Sequence, residues 1–416
     1  MTVDLACTLD DAVLRSLLPN IQTPAYVYDL ITLGQRYCDL ACALPGYGIR
    51  YAVKANPHPA VLRRLVQLGA TIDASSGGEI RRAIAAGAPA GAISFTGPGK
   101  RLSEIEQAVS DGIGHMVVES LQQAEQTSAA AIRRGVVQPV LARISPASSP
   151  KGFGARMTGM ATQFGIDEEG AAAVLAQIAV LPGLRMEGLH FYAGSNSLDP
   201  AAIGANMQIC ADLAARLMEV LGRAPSRLIF GSGFGVPYHD GQVAIQLTDV
   251  AAEVSAALDP LRACSGLALD IELGRWLVAP AGQLLVRVLS RKSGRGATIA
   301  ICDGGFNAHL AACGMMGSVV RRNWPIRNVS SPGAAWEKVT LAGPLCTSID
   351  LLARDLEVAS PAVGDIMSVG LSGAYGPTAS PQGFISQPDV REMIWDGKSL
   401  QDQTPGSSAV KVKAGT

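Results

Sequence analysis

Residues 50–59, RYAVKANPHP, set one lysine, Lys54, at the end of a short strand-like run and just before a loop. In a chain that is 48% hydrophobic and only 17% charged, an apolar side chain would pack better there. A lysine desolvated at a strand end has a lowered pKa, so a neutral amine becomes available to form a Schiff base. Taken alone, the residue reads equally as a lysine snorkelling at the rim of the fold. Two other stretches carry chemistry. FGSGFGVPY, residues 230–238, has glycines at 231, 233 and 235. Such a loop lets backbone N–H groups approach an anion such as a phosphate, although a simple tight turn uses the same residues. DIELGRW, residues 270–276, brings Glu272 and Arg275 close in sequence. A carboxylate there can keep a ring nitrogen protonated; as a surface ion pair the two residues would do nothing further.

These groups need a scaffold that gathers them. From about residue 48 the sequence alternates β-rich runs with alanine-rich helical runs, the pattern of successive βα units. The runs RYAVKA, ATIDAS, AISFTG, HMVVES, PVLARI, MEGLHFYA, RLIFGSG and LALDIEL make eight predicted strands, which favours a closed (β/α)8 barrel over an open doubly wound sheet. Between them, PAVLRRLVQLG starts at Pro59 and stops at Gly69, and GGEIRRAIAAG puts Ile80, Ala83 and Ile84 on one face before Gly87. In such a barrel the active site lies at the C-terminal strand ends, and the loop after strand seven is a recurrent phosphate site. Lys54 ends the first strand, the glycine loop follows the seventh and Glu272 ends the eighth.

After about Arg275 the runs GQLLVRVLSRKS, GATIAICDGG and WEKVTLAG predict a mostly antiparallel β domain, with a helix expected over CTSIDLLARD, residues 346–355. The early strand-like TPAYVYDL, residues 23–30, is expected to pair into that later domain. The expected division is an N-terminal segment 1–30, a barrel 31–274, a β domain 275–403 and a flexible tail 404–416. Residues 145–162 form a Ser/Pro/Gly/Met-rich connection.

Composition narrows the partners. With 34 basic and 35 acidic side chains and a formal net charge of −1, neither nucleic acid nor an anionic membrane is expected as a partner. No apolar stretch reaches the roughly 18 residues of a membrane span, and the N-terminus carries acids where a signal peptide carries bases, so a cytoplasmic setting is expected. The eight cysteines are scattered without CxxC or zinc-finger spacing, which predicts reduced thiols and no metal site.

A lysine, phosphate-binding glycines and a carboxylate are the three parts needed to hold pyridoxal phosphate. With YAVKAN, IDASSGGEI, QFGID, GLHFYAGS, GSGFGVPY, ELGRW, CDGGFN, GPLCTSID and GAYG in this order, the chain resembles the fold-type III pyridoxal-phosphate decarboxylases, the family of diaminopimelate, ornithine and arginine-type enzymes. The resemblance implies that Lys54 carries the cofactor as a Schiff base and that Glu272 partners its pyridine nitrogen. Gly231, Ser232, Gly233 and Gly235, with Arg275 and Tyr375, would hold its phosphate. Asp73, Ser76 and Glu79, and His190, Tyr192 and Ser195 of GLHFYAGS, would line the cofactor pocket. Cys346 would enter the neighbouring protomer's site and control reprotonation of Cα, which implies a head-to-tail homodimer with shared sites. Read by itself, Cys346 is also a small buried hydrophobe.

Two departures bear on the substrate, which Arg275, Thr347 and Tyr375 would contact. In the diaminopimelate and ornithine enzymes the residue after the cysteine is acidic and binds a distal ammonium; here it is Thr347, which would leave a buried ammonium unpaired. The aromatic that stacks on the cofactor is usually a histidine; here it is Tyr192, with His190 two residues earlier on the same strand face, either in the site or as a satisfied core histidine. The implied activity is α-decarboxylation of an L-amino acid moiety within a conjugate, either a carrier-protein aminoacyl thioester or a citryl-amino acid siderophore intermediate. Diaminopimelate decarboxylation is the alternative. A non-catalytic decarboxylase-like regulator would not need Lys54, Glu272 and Cys346, and an amino-acid racemase lacks support from the Cys346 segment.

Overall fold

The computed structural model describes residues 9–220, 225–263, 266–315, 322–405 and 411–413. Cys7 and Cys264 lie outside the described residues. The chain divides into two compact units: Tyr37–Gly235 with Ile245–Gly274, and Met1–Arg36 with Val236–Ala244 and Arg275–Thr416. The second unit therefore takes residues up to Arg36 rather than 30, and recruits the nine-residue stretch Val236–Ala244 from within the barrel's sequence.

The first unit is a closed barrel of eight parallel strands: Gly48–Ala52, Thr71–Ala74, Ile93–Phe95, His115–Val118, Gln138–Ser145, Leu184–Phe191, Arg227–Gly231 and Ala268–Leu273. The ring closes where the eighth strand pairs with the first in register Glu272↔Arg50 and Leu273↔Tyr51. A parallel sheet covered by helices is buried on both faces, so its strands read as near-continuous apolar runs; His115–Val118 and Ile93–Phe95 are buried throughout. Val117, Leu141 and Ile229 from three different strands meet as one buried cluster.

The helices start and stop where residue chemistry dictates. Pro59–Gln67 has Pro at its first position, where the missing N–H costs nothing, and Gly69 follows at φ 99°. Gly77–Ala85 is capped by the Ser76 hydroxyl, which accepts from the Glu79 N–H at 3.2 Å. On this helix Ile80 and Ala83 are buried, whereas Ile84 is 40% exposed and lies off the expected face.

The second unit is a largely antiparallel sheet. Ala25–Asp29 pairs antiparallel with Gly282–Gly294 and parallel with Arg391–Trp395, so the early strand joins the late domain across the sequence. A second parallel pair joins Ala297–Cys302 to Trp336–Ala342. The helix expected over residues 346–355 is absent: Leu351–Ala359 is a strand antiparallel to Trp336–Ala342. Its apolar spacing imitates a helix because Asp355, at φ 48°, sits where the register slips and breaks the alternation, which resumes as Leu356 in, Glu357 out, Val358 in. Within the expected tail, Lys411–Lys413 pairs antiparallel with Ser399–Asp402. No helix among the described residues is long and apolar enough to cross a membrane.

Candidate active site

The barrel register brings the titratable residues to one mouth. Asp73 stands opposite Ala52 and Glu272 opposite Arg50, so the two carboxylates flank the strand that Lys54 follows. Lys54 lies in a short 3-10 turn, Val53–Ala55, directly after that strand, and is half-buried. Its Nζ sits 4.7 Å from the centre of the Tyr192 ring. The Lys54 charge also acts on the carboxyls of Asp73, Glu79 and Glu272, drawing all three downward.

Glu272 is 1% exposed, which removes the surface ion-pair reading. Burial alone raises its carboxyl, but the opposing charge and hydrogen bond of His190, with Lys54 and Arg143 behind it, outweigh burial and hold the group down at about 2. The contact is His190 Nε2 to Glu272 Oε2 at 2.8 Å. His190 is therefore buried on the carboxylate, its own pKa lowered by burial, while Tyr192 is the aromatic beside the lysine. The other ring nitrogen of His190, Nδ1, has no hydrogen-bond partner among the described residues. Asp73 moves the other way: burial and the Glu272 charge raise its carboxyl to about 7 against the hydrogen bonds of Thr96 and Ser94. Two carboxylates in one low-dielectric pocket separate in this manner because both cannot ionise freely.

The glycines after strand seven are positioned by packing. A side chain at Gly231 would run into the Tyr192 ring, and one at Gly235 would meet the Ser197 carbonyl at 2.6 Å. The Gly235 N–H already donates to Ser197 O at 2.8 Å and the Ser232 N–H to Glu272 O at 2.9 Å. Gly233, at φ 67° and pressed by Phe153, is the loop residue whose N–H has no partner among the described residues. Ser195 lies in the two-residue ribbon Gly194–Ser195, paired with Ala155–Arg156. Ser76 and Glu79 serve the helix cap, Glu79 also accepting the Ser75 N–H at 2.6 Å.

Several residues of the mouth escaped the sequence reading. Arg143 is buried, pairs with Glu119 at 3.2 Å, and lies 4.8 Å over Phe164 and 5.7 Å over Tyr192. Ser94 donates to Asp73 at 2.8 Å and accepts from Arg50 at 3.2 Å; Arg50 is paired with Asp270 at 2.8 Å, itself held by Arg227 at 2.7 Å. Lys100 is a second lysine near the mouth, but its Nζ donates to Gly97 O and Val117 O at 2.7 Å each and to Gln123 at 3.1 Å; burial lowers it to about 8. The available signal was a charge in the middle of an apolar strand, as in RYAVKA and PVLARI.

In the second unit Arg275 opens the short helix Arg275–Val278, donates from Nη1 to the Tyr238 hydroxyl at 3.1 Å and lies 4.7 Å over the Tyr375 ring. Tyr375 holds a left-handed φ of 53°, a strained conformation for a non-glycine residue. Cys346 is exposed, which rules out the buried-hydrophobe reading, and Thr347 is half-buried. Their turn is pinned by buried Asp350, whose Oδ1 accepts the Phe306 N–H at 2.7 Å and whose Oδ2 accepts the Leu345 N–H at 2.8 Å. Gly305 and Gly343 leave room for that carboxylate, since a Cβ at either would overlap it.

The pyridoxal-binding domain of the pyridoxal-dependent decarboxylases matches residues 31–279. The chain belongs to that family. It is 33% identical over 393 residues to an L-glutamyl acyl-carrier-protein decarboxylase of Niallia circulans, covering 93% of this chain and 92% of that one. It is 30% identical over 389 residues to the 2-((L-alanin-3-ylcarbamoyl)methyl)-2-hydroxybutanedioate decarboxylase of Staphylococcus aureus, covering 91% and 95%. Among solved structures, diaminopimelate decarboxylase from Helicobacter pylori complexed with L-lysine superposes with a TM-score of 0.83 at 28% identity, covering 94% and 95% of the two chains. This decarboxylase uses pyridoxal phosphate, and its barrel fits the group: an amine at a strand end, a carboxylate kept anionic in a buried pocket, and an aromatic ring beside the amine.

Proposed function

We propose that this decarboxylase acts on an L-amino acid held in a conjugate, a carrier-protein aminoacyl thioester or a citryl-amino acid of siderophore assembly, rather than on a free basic amino acid. The observation that carries the reading is the state of the Cys346–Thr347 turn. Its nearby carboxylate, Asp350, is buried and consumed by two backbone N–H groups, and Thr347 is neutral. A distal ammonium brought there would lack the charge-assisted contact that such a group needs on leaving water. An acyl linkage or a carboxylate carries no such need. The two relatives whose names specify conjugated substrates support the same choice.

The reaction breaks the bond from Cα to the carboxylate, releases carbon dioxide and places one proton on Cα. Pyridoxal phosphate, when bound, supplies the electron sink for the pair left behind. Lys54 would provide the amine that holds the group. Glu272, held anionic by His190, would keep a ring nitrogen of the group protonated. Tyr192 would give the group a face to stack on, Asp73 and Ser195 would complete its pocket, and residues 231–235 with Arg275 and Tyr375 would hold its phosphate. Arg275 and Tyr375 also contact the substrate beside Thr347. Cys346 delivers the proton in the partner protomer's site, and its exposure on its own chain agrees with that use. Among the described residues the cysteines Cys38, Cys42, Cys210, Cys302, Cys313 and Cys346 form no disulfide, in keeping with a cytoplasmic setting.

The test is a product screen by mass spectrometry with glutamyl-carrier, citryl-diamino acid, diaminopimelate and ornithine substrates. Loss of carbon dioxide from a conjugate supports the proposal; turnover confined to diaminopimelate or ornithine overturns it.

A further inference from the structure

A cleft of about 510 Å³ in the second unit is lined by His239, Asp240, Arg322, Asn323, Arg354 and Asp355. None of these residues belongs to the site described at the barrel mouth. Among the described residues neither arginine and neither aspartate forms an ion pair within 4.0 Å, although all four line one cavity. Opposite charges at short range on a surface ordinarily close on each other. Here the backbone that carries two of them is pinned. Asn323 clamps the strand beneath Arg354, donating from Nδ2 to Arg354 O at 2.7 Å and accepting the Arg354 N–H on Oδ1 at 2.9 Å. The next residue, Asp355, is the left-handed bulge of that strand, and bulges re-aim side chains at a strand edge. His239 is fixed by its ring Nδ1 against Asn323 O at 3.2 Å.

Two of the lining residues are chain neighbours of an aromatic pair that reaches Arg275, a residue assigned to substrate contact. His239 follows Tyr238 and Asn323 precedes Trp324; the Tyr238 and Trp324 rings stack with centroids 4.2 Å apart, and the Tyr238 hydroxyl accepts from Arg275. From these observations we infer that the cleft is a subsite for the conjugated end of the substrate. It takes an oxyanion on Arg322 and Arg354, with neighbouring hydroxyl or amide N–H groups donating to Asp240 and Asp355. Guanidinium forks suit phosphate and carboxylate geometry, and carboxylates facing the same cleft require donors on the same ligand. The inference rests on the conjugate reading and deepens it. The oxyanion has two sources with one chemistry, the phosphodiester of a carrier's pantetheine arm or the carboxylates of a citryl group.

The experiment is calorimetric titration of the holoenzyme with 4′-phosphopantetheine and, separately, with citrate, for wild type, Arg322→Gln and Arg354→Gln. One probe binds wild type and each substitution weakens it about tenfold, the loss of one charge-assisted contact; the probe that binds names the source. Binding of neither probe, or equal binding by wild type and both variants, overturns the assignment. KM for the preferred conjugate provides the second readout, rising in both variants more than kcat falls. If conjugates are preferred and KM stays at the wild-type value, the subsite fails and the conjugate reading stands. If free diaminopimelate is preferred while probe binding still depends on both arginines, the conjugate reading fails and the cleft remains an oxyanion site.

Discussion

Asp73 and Glu272 are buried carboxylates on the two strands that flank the first barrel strand, and their protonation moves in opposite directions, Asp73 up to about 7 and Glu272 down to about 2. For Asp73 the folded state holds a proton that the unfolded chain, at its ordinary 3.8, gives up; stability from this group is full below about 4 and is lost as pH rises toward 7. For Glu272 the unfolded chain binds the proton first, so its contribution is present above 4.5 and is lost as pH falls toward 2. Asp73→Asn keeps the shape and removes the upper titration. In cofactor-free protein, the fall in Tm between pH 4 and pH 7 becomes shallower in the variant than in wild type. Parallel Tm profiles for the two proteins would remove Asp73 as its source.

Gly231 exists for the Tyr192 ring, since a methyl group there would overlap it. Gly231→Ala should cost about 1–3 kcal/mol as an overpacked site and displace Tyr192 from beneath Lys54. The expected outcome is a lower Tm together with weaker cofactor retention on dialysis. A variant with wild-type Tm and cofactor content would show that the ring moves freely.

Lys54 carries the cofactor in this account. Purified protein should be yellow, and Lys54→Ala should lose the Schiff-base absorbance band or replace it by that of non-covalently bound cofactor. Borohydride reduction and peptide mapping should place the adduct on Lys54. An adduct on Lys100, the second lysine near the mouth, would contradict the assignment.

What the sequence made legible is what local pattern encodes. All eight barrel strands were found because a parallel strand is a short apolar run bounded by turn residues, and Lys54 and Glu272 were found as charges at the ends of such runs. Pairings between distant residues were not legible. Arg143 and Glu119 are 24 positions apart, and the Arg50–Asp270 pair joins residues 220 apart, so no local window shows either. The strand Leu351–Ala359 was hidden for another reason: a bulge at Asp355 shifts the alternation by one residue, and a shifted period of two passes for a period near 3.6. The glycines of residues 231–235 were legible as an unusual loop, but their contacts to Tyr192, Phe153 and Ser197 belong to the tertiary fold.

If Cys346 works in the partner's site, two inactive variants should complement each other. Random mixing of Lys54→Ala with Cys346→Ala restores about a quarter of the sites, because half the dimers are mixed and one of two shared sites in each is intact. Mixtures that regain no activity, with subunit exchange confirmed, would mean self-contained protomers.

The most direct test of the conjugate reading is kcat/KM for free diaminopimelate and for the best conjugate, in wild type and Thr347→Glu. A carboxylate at 347 supplies the contact that a distal ammonium lacks in wild type, worth roughly one to two powers of ten, and repels any distal carboxylate. Wild type should favour the conjugate, and Thr347→Glu should shift the ratio toward diaminopimelate by about that factor. A wild-type specificity constant for free diaminopimelate above that for every conjugate would contradict the account and leave ordinary diaminopimelate decarboxylation in its place.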